Sequence, residues 1–518
     1  MNSSASVTTS LNYRAPRAVN VEGVCIASVS DAPRFALSVN THAVELPERA
    51  LVLPGFVDTH CHLMGLGLMA SRVQLRGARS ATECAQRMAD RARTRPPGEW
   101  VMGFGWNQEE WGSGAMPDRA VLDAMLPDNP AVLIRIDSHA SWCNTAALHA
   151  AGITEGAARE RRPDGGAIVA DEAGRPTGIL IDEAMALVER VIPPPTTAQQ
   201  AGWIAESIAA CLRLGITEVH DMNVEPERLQ AMAGVADRGD MHLRCQVFLT
   251  GRNDAWKAVP RPAVLGPNVH AVGVKYFADG ALGSRGALLL APYSDAPDTS
   301  GLPLTTADEL AAAAAEPLER GYAVATHAIG DAAVRAVLDG YERLRAGHAG
   351  ALLRMEHAQT VHPDDLARFV WLNVVPAVQA VHCTSDAAMA VARLGDERCA
   401  TAYPWKSLRS RGLPILGGSD FPIESADPMA GLRAFTDRTP QGASGPWHGE
   451  QRISREEAVD AYTAWAPLGI PGTHRRGALA PGNDADIVVL DSDPFENPDA
   501  RVLLTIVGGA IVYDGRRA

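Results

Sequence analysis

The sequence predicts an α/β fold: a (β/α)8 TIM barrel with an inserted α/β subdomain after strand 1 and a small β-sandwich domain formed by both termini. Three observations predict it. Short apolar, β-rich runs recur eight times. Helix-like segments that close on glycine precede several of these runs, and strands alternating with helices imply a parallel sheet. The chain of 518 residues, 46% hydrophobic, is long enough for a large barrel carrying additions.

The first run lies in "LVLPGFVDTHCHLMG" at 51–65, which ends in His60 and His62. Residues i and i+2 of a strand share a face, so the two imidazoles can point the same way at metal-ligand spacing. An isolated H-x-H fits an edge strand with two exposed histidines equally well, and the remaining strands must decide. Cys61, between them, should face the opposite side and pack. The other seven runs are "GITEVHD" (215–221), "LRCQVFLT" (243–250), "VGVKYFADG" (272–280), "YAVATHAIG" (322–330), "LLRMEHAQT" (352–360), "NVVPAVQ" (373–379) and "PILGGSD" (414–420). The segments "TAQQAGWIAESIAACLRLG" and "TADELAAAAAEPLERG" supply helices before the second and fifth.

The stretch from 65 to 195 is too long for a barrel loop and is expected to fold separately as an α/β subdomain overhanging the barrel mouth. It holds a helical pattern in "SATECAQRMADRARTRPP", a strand-like "AVLIRID" and a hairpin in "GGAIVADEAGRPTGILID". Residues 1–53 and 475–518 share strand-and-turn texture, as in "FALSVNTHAVEL" and "LLTIVGGAIVYDG", and predict a small β-sandwich from both ends. The span 54–474 is then the barrel. In "ISREEAVDAYTAW", Ser454 followed by Glu457 predicts a capping box.

Composition excludes several classes. Lys plus Arg number 47 against 61 for Asp plus Glu, a formal net charge of -14, which argues against a nucleic-acid or anionic-membrane partner. No apolar export segment or membrane span is evident, so a cytoplasmic address is expected. Eight scattered cysteines without a C-x-x-C pair fit reduced thiols.

Active sites of such barrels stand at the C-terminal ends of the strands. There the sequence places His60 and His62 (strand 1), Lys275 (strand 4), His327 (strand 5), His357 (strand 6) and Asp420 (strand 8). Singly, a strand-end histidine is usually structural, a lysine solvated and a Ser-Asp pair a helix cap; six on one rim point to a metal site. Imidazoles with a carboxylate suit zinc, with iron, manganese or cobalt as other occupants. An ammonium cannot ligate, so Lys275 either stays outside the metal shell or becomes an anion.

This set, with "GFVDTHCH", "VMGFGWNQEEW", "RIDSHASWCNTAAL", "GRPTGILID", "VKYFADGALGSRGALLLAPYSD", "THAIGDAAV", "RMEHAQTV" and "GGSDFPIESADP" in order, resembles the amidohydrolase superfamily. More narrowly it resembles amidohydrolase family 3, the group of YtcJ-like proteins and N-substituted formamide deformylase. The resemblance implies two divalent metal ions, most often Zn2+, with His60 and His62 on one and His327 and His357 on the other. Carboxylated Lys275 would bridge them, and Asp420 would complete the first shell and act as general acid/base.

The resemblance implies hydrolysis of an amide-type C–N bond of a small molecule, N-acyl and N-formyl compounds included. A single-metal aminohydrolase, a lactonase and a non-catalytic scaffold on the same barrel remain alternatives. Second-tier substrate-binding candidates are His139, preceded by Ser138 where the group usually has glycine, Arg285 after strand 4, His382 after strand 7, and Trp106 in the insertion. Tryptophans such as Trp106, Trp111 and Trp142 in an insertion are more often subdomain core. A homodimer is an assembly common among such enzymes.

Overall fold

The computed structural model describes residues 17–112, 114–136, 139–155, 166–472 and 475–517. The chain forms two compact units, 1–66 with 200–518, and 67–199.

The first unit is built on eight parallel strands: β1 (Phe56–Cys61), β2 (Ile216–Val224), β3 (Arg244–Thr250), β4 (Val269–Phe277), β5 (Ala323–Ala328), β6 (Leu353–His357), β7 (Val374–Gln379) and β8 (Leu416–Gly418). They pair in that order, each with the next. Thr59 Oγ1 donates to Gly417 O (2.9 Å), Asp420 N to His60 O (2.7 Å) and His62 N to Phe421 O (2.9 Å), so β8 and its exit loop meet β1 and bring the sheet round on itself. Gly418 is required here, since a Cβ would come within 2.7 Å of His60 N. The predicted barrel is therefore observed.

Four of the eight barrel strands are buried along their whole length, as in the Phe56–Cys61 pattern, because the sheet is covered on both faces. Cys61 is fully buried in the main core, as its place between two histidines predicts. The helix Thr197–Arg213 buries Ile204, Ile208, Cys211 and Leu212, at i, i+4, i+7 and i+8 spacing, before β2. The helix Ala307–Glu319 starts with a capping box between Thr306 and Glu309 and precedes β5. The capping box read at Ser454 and Glu457 is present too.

Two four-stranded sheets complete this unit. One holds Arg17–Glu22, Cys25–Asp31, Ala36–Val39 and His42–Val44; the other pairs Leu51–Pro54 with Ile487–Leu490, Val502–Val507 and Ala510–Asp514. Val19, Val21 and Leu37 of the first share one buried cluster with Val52, Ile487 and Leu504 of the second. Residues 1–16 and 518 of the terminal segments lie outside the described residues.

The second unit centres on a six-stranded mixed sheet in the order Gly166–Ala170, Pro176–Asp182, Ala140–Cys143, Ala131–Arg135, Val101–Trp106 and Val73–Gln74. Trp106, Trp111 and Trp142 lie in its core with ring centroids 6.0–6.5 Å apart. Trp106 is fully buried and its indole N–H donates to Leu133 O (2.9 Å), so the aromatic read as a substrate grip is a packing residue.

Candidate metal centre and active site

The ends of β1, β4, β5 and β6 and the segments after β7 and β8 deliver side chains to a cavity of about 420 Å³ at the mouth of the barrel. His60, His62, Lys275, His327, His357, His382 and Asp420 line it together with Phe277, Leu282, Ile329, Gln359, Met389 and Ile423. All six rim residues read from the sequence are thus in one cavity.

The donor atoms fall into two groups, each with its atoms within 4.8 Å of one another: His60, His62 and Asp420, and His357, His382 and Asp420. His62 Nε2 lies 3.3 Å and His60 Nε2 3.6 Å from Asp420 Oδ1, while His382 Nε2 is 3.9 Å from Oδ2. Asp420 stands between the two groups. The His327 ring packs 4.5 Å from that of His357, but its Nε2 turns toward Asp279 Oδ1 (3.4 Å) and Gly280 O (3.5 Å). His382, expected only as a pocket residue, thus stands in the group where His327 was expected.

A network behind the rim fixes these rings. His60 Nδ1 donates to Glu356 Oε2 (2.6 Å), His62 Nδ1 to Met222 O (3.1 Å) and His357 Nδ1 to Gln379 Oε1 (2.6 Å). Each bond consumes Nδ1 and presents Nε2 to the cavity, the arrangement that orients metal-binding histidines. Glu356 is itself held by Arg354, through Nε (2.9 Å) and Nη2 (3.1 Å), and Arg354 also bonds Thr59 O, Gly469 O and His220 Nδ1. Both His357 and Asp420 adopt positive φ (71° and 60°), sparsely populated for non-glycine residues and often found at functional sites.

Charge states follow from burial and neighbours. Burial and the Lys275 ammonium lower His60 and bring His327 to about 3, and burial with the surrounding imidazoles holds His357 well below the ordinary histidine value. These imidazoles are therefore neutral, the form that binds metal. Burial lowers Lys275 to about 8. At Asp420 burial works upward, but the hydrogen bond from His62 and the neighbouring imidazoles outweigh it and keep the carboxylate ionised.

Two buried polar atoms at this centre, Lys275 Nζ and His382 Nε2, have no hydrogen-bond partner among the described residues. Unmatched buried polar atoms are costly, and neutral imidazoles with a carboxylate are the donor set of divalent transition metals, so the residues fit a metal centre.

Two second-tier candidates take other roles. Arg285 pairs with Asp295 through Nε (3.1 Å) and Nη2 (2.9 Å) on an exposed loop, which makes it a loop anchor; the guanidinium is matched before any substrate arrives. His139 belongs to the 67–199 unit, where its Nδ1 lies 2.8 Å from Asp182 Oδ1. Ser138 lies outside the described residues. Glu356, Arg354 and Gln379 were missed by sequence reasoning, although Glu356 is adjacent to His357 in "RMEHAQT".

An eight-stranded parallel barrel that gathers imidazoles, a lysine and a carboxylate at its strand ends defines the class of barrel hydrolases. Within it, the chain belongs to the amidohydrolase family, whose sequence profile matches residues 49–513. It is 34% identical over 478 residues to YtcJ of Bacillus subtilis (strain 168), which carries an amidohydrolase assignment, with 90% of this chain and 89% of that one covered. It is 25% identical to the N-substituted formamide deformylase of Arthrobacter pascens, covering 96% and 95%. Among solved structures, an uncharacterized metal-dependent hydrolase from Pyrococcus furiosus superposes with a TM-score of 0.74 at 27% identity, over 93% of this chain and 99% of that one.

Proposed function

We propose that the protein is a metal-dependent amidohydrolase that cleaves an amide-type C–N bond of a small molecule. The observation that carries this reading is the convergence of His60, His62, His357, His382 and Asp420 on one cavity beside the buried, unpartnered Lys275 Nζ. The kinship with an N-substituted formamide deformylase supports the choice of bond.

Two divalent ions, zinc by preference, would be held by His60, His62 and Asp420 on one side and by His357 with His327 or His382 on the other. Lys275, unable to ligate as an ammonium, would join both as a carbamate formed with CO2. A bound divalent metal supplies a Lewis acid that polarises a carbonyl and acidifies water toward pH 7.

The rest is done by the chain. Asp420, ionised, accepts a proton as water adds to the carbonyl carbon. The same proton then passes to the departing nitrogen as the C–N bond breaks, leaving a carboxylic acid and an amine. Glu356 and Gln379 keep the His60 and His357 rings from turning.

Elemental analysis of chelator-free protein tests the centre. About two metals per chain, lost in Lys275→Ala and with turnover restored to that variant by short carboxylic acids, is the expected result. One metal indifferent to Lys275 would favour a single-metal aminohydrolase, and a chain that cannot be loaded would be a scaffold.

A further inference from the structure

The cavity extends beyond the metal centre, and its far wall is acidic. The helix Ala380–Leu394 presents His382, Asp386 and Met389 to it, at i, i+4 and i+7 on one face, and the loop after Asp420 adds Ile423 and Glu424. Asp386 lies one helical turn, about 6 Å, beyond His382. Each carboxylate has a structural bond to one oxygen: Tyr403 Oη–H donates to Asp386 Oδ2 (3.0 Å) and Ser385 Oγ–H to Glu424 Oε1 (2.5 Å). These bonds position the two groups and neutralise neither.

Among the described residues, no lysine or arginine of the wall pairs with these carboxylates. Among the described lining residues, the only Lys or Arg is Lys275, at the metal end. Arg393, on the same helix, is turned to Gly283 O (3.1 Å) and to Asp295. Burial raises the Asp386 carboxyl above its ordinary value against the opposing pull of His382 and the Tyr403 hydroxyl, and Glu424 adds a smaller push upward.

A second observation points to a ligand. Gln359, 3% exposed, lines the same cavity, and its Nε2 has no hydrogen-bond partner. Buried donors of this kind are costly unless a bound molecule meets them, and an amide carbonyl is a fitting acceptor for Gln359. Phe277, Leu282, Ile329 and Met389 supply an apolar sleeve between.

We propose that this cavity selects amides carrying a protonated amine, with Asp386 and Glu424 forming a cation subsite about one helical turn from the reacting carbonyl. The inference rests on the amidohydrolase reading for the bond that is cut, whereas the charge preference rests on the cavity wall alone.

Calorimetric binding with amine release followed in parallel tests the two separately. The probes are two cations, N-(4-aminobutyl)acetamide and 5-amino-N-methylpentanamide, which carry the charge on opposite sides of the amide. Neutral N-pentylacetamide and anionic 4-acetamidobutanoate are their counterparts. At least one cation should bind roughly tenfold tighter than the neutral amide, with the anion weakest. Asp386→Asn and Glu424→Gln keep an oxygen for Tyr403 and Ser385, so the fold is retained while the preference falls severalfold. Equal or tighter binding of the neutral or anionic amide, a preference indifferent to both substitutions, or no cation binding at millimolar concentration would overturn the subsite. Selective binding without cleavage would instead sink the amidohydrolase reading and leave the subsite standing.

Discussion

In the proposed mechanism Asp420 is the proton carrier, and its substitution separates proton transfer from architecture. Asp420→Asn keeps the shape and the backbone bond from Asp420 N to His60 O, but removes the base. Turnover should fall by about 10²-fold or more while the circular dichroism stays unchanged; a turnover within a few-fold of wild type would exclude the shuttle. The rim was legible because its members sit where strands end, and strand ends are visible in the hydrophobic pattern. The side chains that hold or surround the rim were not. Glu356 and Gln379 occupy strand positions whose partners become known only with the inter-strand register, and Asp386 acts through a helix face that sequence does not orient. The misreadings have the same origin. Trp106 and Arg285 have the chemistry of pocket residues, but one side chain is enclosed by its own subdomain and the other is matched to Asp295.

At the scale of elements, a local signal carried the assignment where the cap was a full Ser-x-x-Glu box. Ser454 Oγ accepts from Glu457 N (3.1 Å), and Glu457 Oε2 accepts from Ser454 N (3.0 Å), which starts the helix Arg455–Ala461 behind the barrel's last strand. Ser454→Ala should cost about 1 kcal/mol, seen as a lower urea midpoint with an unchanged slope. A midpoint equal to wild type would mean that packing of Ala458, Val459 and Ala461 alone holds the helix. The strands needed less local information. Runs such as Val374–Gln379 are buried on both faces, so they read as nearly continuous apolar stretches, and recurrence of short apolar runs eight times made the parallel barrel legible. What repetition could not supply was orientation at the rim. The turn of His327 Nε2 toward Asp279 depends on how the loop after β4 folds back, with Asp279 accepting from the backbone of Leu288, Ile329 and Gly330.

At the scale of the whole molecule, β2 meets the returning carboxy-terminal segment through buried charge. Glu218 on β2 pairs with Arg476 and lies 3.4 Å from His220. Burial alone would raise this carboxyl; His220, Arg476 and Arg244 outweigh it and bring it down to about 2 from an ordinary 4.5. The folded state therefore holds the proton less tightly than the unfolded chain. The stabilisation is fully present above pH 4.5 and is lost as pH falls through 2. Glu218→Gln cannot ionise and leaves Arg476 without its carboxylate, so at pH 7 it should lower the unfolding free energy by about 3 kcal/mol. The deficit should shrink when the same urea titration is run at pH 3, because wild type has by then lost part of the same interaction. A deficit equal at pH 7 and pH 3 would show that Glu218 acts through its shape and not its charge, and that the carboxy-terminal segment is held by the Arg244–Asp486 pair and the shared apolar cluster alone.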